Sequence, residues 1–184
     1  VLYHMDGLVE YSIPVQGLEN GVHRFQFAVG EAFFRYFTAS PVEAGAISVT
    51  LDFDKRPGMY VLEFEFEGTV KAECDRCLVE IDLPVSGRER LLVKFSYESQ
   101  PEEADVIYIS PEAQRLNVAK YIYEFIVLAM PITKVYDCEN DEDRACNEEM
   151  LDYLDGGASQ TGEAAPDEIN PLWEELKKLS KGKQ

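Results

Sequence analysis

The stretch AISVTLDFDKRPGMYVLEFEFE, residues 46–67, decides the fold. In its first half Ile47, Val49, Leu51 and Phe53 alternate with Ser48, Thr50 and Asp52; in its second, Tyr60, Leu62, Phe64 and Phe66 alternate with Glu63, Glu65 and Glu67. A period of two places the apolar side chains of each run on one side of an extended chain. Between the runs, Pro57 fixes φ and Gly58 accepts a conformation that other residues avoid, which is turn chemistry. The pattern specifies an antiparallel hairpin with one buried face and one wet face.

Working outward, residues 8–15 and 22–29 read as short strands separated by residues 17–21, and residues 31–37 suit either a helical turn or a strand. Downstream, residues 79–85 and 91–97 read as two more amphipathic strands, followed by a short strand at 106–109. The period then changes. Val118, Tyr121, Ile122, Phe125, Ile126 and Ala129 share one face of a helix from about Asn117, its N-cap, to Met130, and Pro131 stops it. Residues 147–154 suit one short helix, and GGASQTGEAAPD at 156–167 has linker composition. In the segment from Asn170 to Leu179, Asn170 is an N-cap, Pro171 a first helical residue, and Leu172, Trp173, Leu176 and Leu179 form one apolar face.

The division expected is a single α+β domain with paired cysteines at 1–154, an acidic flexible linker at 155–169, and a C-terminal helix with a basic tip at 170–184. The fold class is α+β: an antiparallel sheet, open or partly closed into a barrel, with one long packed helix and a short C-terminal helix.

A hydrophobic fraction of 46%, with ten Phe and ten Tyr, gives a chain of 184 residues ample material for a packed core. Its net charge is −18, which repels phosphate backbones and argues against unaided, non-specific nucleic-acid binding. The charge is uneven. Residues 137–168 hold twelve acids against Arg144 alone, whereas residues 71–94 balance five bases against five acids. No apolar run reaches the roughly eighteen residues of a bilayer span. Residues 1–10 carry Asp6 and Glu10 and no basic region, so they do not read as a signal peptide. A cytoplasmic location is expected, where reduced thiols or metal thiolates prevail over disulfides.

The only four cysteines fall in two pairs, Cys74-Asp-Arg-Cys77 and Cys138-x7-Cys146. Two thiolates two residues apart, in a turn between strands, can grip one metal ion, and a second pair completes a tetrahedron. Cys74, Cys77, Cys138 and Cys146 are therefore the candidate ligands of a structural zinc ion. The seven-residue spacing of the second pair is wider than a standard knuckle. Free thiols are the alternative state.

No phosphate loop, nucleophile elbow or His-Glu-x-x-His segment occurs, and His4 and His23 read as surface or strand residues. Arg76 is the only cation close to the first pair that could hold a reactive thiolate, so no enzyme is expected.

The ordered set resembles the YceD family of bacterial large ribosomal RNA subunit accumulation proteins, in the form found in Bacteroidetes. The resemblance is carried by Phe33-Phe34, by Gly68-Thr-Val-Lys-Ala-Glu-Cys-Asp-Arg-Cys-Leu78, and by Leu83-Pro84-Val85. It continues through Tyr121-Ile-Tyr-Glu-Phe-Ile126, Met130-Pro131, the second cysteine pair and Asn170-Pro-Leu-Trp-Glu-Glu-Leu-Lys-Lys-Leu179. It implies a non-enzymatic role in the synthesis, processing or stability of 23S rRNA during large-subunit assembly. With this charge, contact through basic ribosomal or assembly proteins is the expected route; if RNA is touched, Arg76, Arg88, Arg90 and Lys94 are the expected contacts. The alternative is a small zinc- or thiol-containing acidic module that shields a basic ribosomal or assembly protein.

Overall fold

A computed structural model describes residues 8–98, 100–101, 105–137 and 146–160, the stretch 155–160 by backbone alone. Its elements in chain order are β1 (Ser12–Ile13), β2 (Gly21–Val29), α1 (Glu31–Phe34), β3 (Gly45–Arg56), β4 (Met59–Glu73), β5 (Glu80–Phe95), β6 (Val106–Ile109), β7 (Leu116–Asn117), α2 (Ala119–Leu128) and α3 (Glu148–Gln160).

The hairpin of residues 46–67 forms β3 and β4, turning at Gly58 with φ 86°. Its register places Val49 beside Phe66, Leu51 beside Phe64 and Phe53 beside Leu62, and all six side chains are buried. Each contributes roughly 1.5–3 kcal/mol by leaving water. The partners on the opposite face, Thr50 with Glu65 and Asp52 with Glu63, remain in contact with solvent.

The strands order as β2-β3-β4-β5-β6, with β1 and β7 forming a separate two-stranded sheet. Two expectations need correction here. The main sheet is mixed, because β6 runs parallel to β5, and it is open rather than partly closed, with β2 and β6 at its edges. Alternation fixes which side chains share a face but not the direction of the neighbouring strand, so the sequence pattern could not separate these cases.

Residues 79–97, expected as two strands, form one strand with Pro84 inside it. Since β6 pairs only with residues 92–95, the stretch of β5 that holds Pro84 is a sheet edge, where a missing N–H is tolerated. Likewise β4 continues to Glu73 instead of ending near Gly68. A Cβ on Gly68 would sit 2.2 Å from the Ala46 carbonyl oxygen, so glycine is what allows β3 and β4 to approach there.

Among the described residues, one face of the sheet is covered and the other is bare. On the covered face, the ambiguous segment 31–37 proves helical: α1 buries Phe33 and Phe34, and Phe37 stacks on Tyr123 of α2 at 3.9 Å. Residues 8–15, expected as a strand, form a 3-10 turn at Val9–Tyr11 followed by β1. The buried side chains there, Leu8, Tyr11, Ile13 and Val15, lack a two-residue period throughout.

The packed helix α2 is ten residues long and buries Ala119, Ile122 and Ile126, while its Phe125 ring meets Phe64 edge-on at 5.2 Å. The N-cap is Val118, whose side chain makes no cap bond, rather than Asn117, which ends β7 one residue earlier and ties the start of α2 to the chain's first segment. The Asn117 Oδ1 accepts from the Ala119 N–H at 3.0 Å, and its Nδ2 donates to the Leu8 carbonyl at 2.8 Å and the Ser12 hydroxyl at 3.0 Å. At thirteen residues, α3 is longer than α2 and runs five residues past Asp155 into the stretch read as linker. The remaining linker and the expected C-terminal helix lie outside the described residues.

Candidate functional site

The Cys74–Cys77 turn joins β4 to β5 and forms the tip of the longest hairpin in the sheet. The Cys74 N–H donates to the Val79 carbonyl at 2.8 Å, and the Leu78 N–H donates to the Cys74 carbonyl at 2.9 Å. Closing the turn so tightly forces Leu78 into left-handed backbone at φ 58°, a region glycine prefers.

Both thiols are free and fully buried. Burial by itself would push the Cys74 thiol up. It is outweighed by the N–H groups of Tyr136, Cys77 and Arg76, together with the Cys77 side chain, which bring Cys74 down to about 7 from 9.0. The Tyr136 N–H lies 3.5 Å from the Cys74 sulfur. It reaches from the far end of the sequence, because the segment after α2 is laced to the tip. The Asp75 N–H donates to the Lys134 carbonyl at 2.7 Å, the Lys134 N–H donates to Asp75 Oδ2 at 2.7 Å, and Lys134 Nζ stands 3.6 Å from Asp75 Oδ1.

This lacing carries the chain to within two residues of Cys138, which itself lies outside the described residues. Cys146 packs on the rim of the core and is disulfide-bonded, where reduced sulfur was expected. Among the described residues, no group of three or more His, Cys, Asp or Glu side chains is placed to hold a metal. The Cys74–Cys77 pair nevertheless has the chemistry of a metal knuckle: two reduced sulfurs in a tight turn, with backbone N–H groups aimed at the first. Only reduced Cys146 could join it as a ligand.

The expected contact residues divide between two places. Arg88, Arg90 and Lys94 sit at even positions of β5, on the bare face of the sheet. Arg76 is on the tip, and at about 3.3 Å per residue Arg90 is roughly 30 Å up the strand from it. Arg88 is bound to Glu65 at 2.7 Å, whereas Arg76, Arg90 and Lys94 make no ion pair among the described residues. His23, in β2, has its Nε2 2.9 Å from the Glu19 carbonyl; His4 lies outside the described residues.

Two recesses accompany these residues. One of about 510 Å³ lies on the bare sheet face between Thr50, Glu65, Ser86 and Arg88, and its arginine is already neutralised. The other, about 400 Å³, adjoins the tip and is lined by Leu78 and Lys134 among others. Sequence reasoning had no means of finding the second, because it is assembled from three separate segments, 40–43, 71–80 and Lys134.

No helix among the described residues is long and apolar enough to cross a membrane. No curated protein and no solved structure is detectably similar to the chain. Residues 62–180 match the family model described as large ribosomal RNA subunit accumulation protein YceD, a span that runs from β4 through both cysteine pairs to the C-terminal segment.

Proposed function

The chain belongs to the YceD family of large ribosomal RNA subunit accumulation proteins, and on that premise we propose that it is a non-enzymatic cytoplasmic factor that sustains 23S rRNA during large-subunit assembly. The match over residues 62–180 carries this reading, because it takes in the hairpin tip and the segment laced to it. Acting through basic ribosomal or assembly proteins suits a net charge of −18, since such partners are attracted where phosphate is repelled. Arg76, Arg90 and Lys94, with Arg88 after release from Glu65, are the cations on offer to RNA.

The tip would hold zinc through Cys74 and Cys77, with Cys138 and reduced Cys146 completing four thiolates. Zinc supplies a structural clamp here, fixing the tip to the chain beyond α2. The lowered thiol of Cys74 supports this role, and its full burial favours coordination over attack on a dissolved substrate. Reduced protein titrated with Co²⁺ is expected to gain a thiolate charge-transfer band that zinc then abolishes; no band would remove the metal from the account.

The functional reading is tested by sedimentation of tagged protein through a gradient that resolves ribosomal precursors. It is expected with large-subunit precursors, and sedimentation only as free protein would contradict it.

A further inference from the structure

The hairpin tip exposes a large apolar side chain that no other described residue covers: Leu78 is 51% exposed. It lines the 400 Å³ recess together with Pro41, Ala72 and Lys134, and these side chains make one ledge. Two features mark the ledge as more than incidental exposure. Leu78 occupies left-handed backbone where glycine would be unstrained, so the position keeps a large apolar side chain at a conformational cost. The segment beside it is also held by three separate contacts between Asp75 and Lys134 rather than left loose.

Charge decides what the ledge can take. Both lysines of the recess are already engaged: Lys71 with Asp82 at 3.0 Å and Glu80 at 3.5 Å, Lys134 with Asp75. Glu43 and Glu73, which line the same recess, have no cation partner among the described residues. An occupant therefore meets apolar surface with uncompensated carboxylates beside it. Phosphate and acidic peptide are disfavoured there, whereas a basic, amphipathic segment is complementary.

We propose that this ledge docks a basic amphipathic segment of another protein, an apolar side chain packing on Leu78 beside Pro41 while flanking Lys or Arg side chains pair with Glu43 and Glu73. The geometry stands without the assembly-factor reading, which enters only in suggesting ribosomal proteins as the source of such segments.

The test uses the full chain and a fluorescein-labelled twelve-residue peptide that carries two leucines three residues apart among arginines, followed by anisotropy. Binding is expected to weaken with salt and to be lost when glutamates replace the arginines. Leu78→Gly, which deletes the side chain and relieves its backbone, is expected to weaken binding about tenfold without lowering the thermal midpoint. Glu43→Gln with Glu73→Gln is expected to flatten the salt dependence.

Parent-level affinity in Leu78→Gly, or equal binding of the glutamate peptide, overturns the proposal. So does Leu78-dependent binding of a single-stranded RNA oligonucleotide. With no peptide present, a shift in emission of the sole tryptophan, Trp173, on Leu78→Asp would make the chain's own C-terminal segment the occupant, and conversion of a dimer to a monomer would make it a second copy; either overturns the proposal. Large-subunit rRNA is measured separately, so loss of peptide binding with rRNA still dependent on the protein refutes the ledge alone.

Discussion

Cys74 and Leu78, four residues apart, carry opposite costs of one tight turn. Backbone donors turn Cys74 into a thiol that ionises near neutrality, and the same closure strains Leu78. The Cys74 effect has a definite sign. Its folded pKa lies below the ordinary value, so the stability gained from its thiolate is complete above about 9 and lost as pH falls to about 7. In chelator and reductant, the stability difference between the parent and Cys74→Ser is expected to grow from pH 7 to pH 9, measured by urea unfolding; a flat difference would refute the assignment. The pairing of the cysteines was legible from Cys74-x-x-Cys77, but the tuning of Cys74 was not. One of its donors, Tyr136, lies sixty-two residues downstream, and local spacing carries no trace of that approach.

At the scale of elements, side-chain periodicity gave faces and missed edges. β3 and β4 were readable because their alternation is unbroken, whereas Pro84 and the following residues split β5 in the reading although the backbone passes through them. Gly68 is the sharpest test of the close β3–β4 approach. Gly68→Ala is expected to cost about 3 kcal/mol or prevent folding, since the added methyl meets backbone rather than a movable side chain; unfolding curves that superimpose on the parent would refute that geometry. Asn117 was read as the N-cap of α2, one residue ahead of the observed N-cap Val118. Its role in joining the start of α2 to Leu8 and Ser12 was invisible because the partners lie more than one hundred residues away. Asn117→Ala is expected to cost about 2 kcal/mol by thermal unfolding, since it leaves the Ala119 N–H, the Leu8 carbonyl and the Ser12 hydroxyl without their part-buried partner. A loss confined to a few tenths would refute that joining role.

For the whole molecule, one sheet face pairs Arg24 with Asp52 and Arg88 with Glu65, both at 2.7 Å, while Arg90 and Lys94 there make no ion pair among the described residues, and at the tip Leu78 stands beside carboxylates without a cation partner among those residues. The net charge was legible from composition, but its distribution was not, since pairing across strands consumes bases that a sequence count leaves free. Under the proposed function it is the net charge of −18 that favours a protein-mediated route to rRNA over a direct grip on phosphate. The most direct measurement of the central claim is the ratio of 23S to 16S rRNA in cells depleted of this protein and in cells where it is restored. The ratio is expected to fall on depletion and to recover when the parent chain is supplied; an unchanged ratio at full depletion would contradict the account.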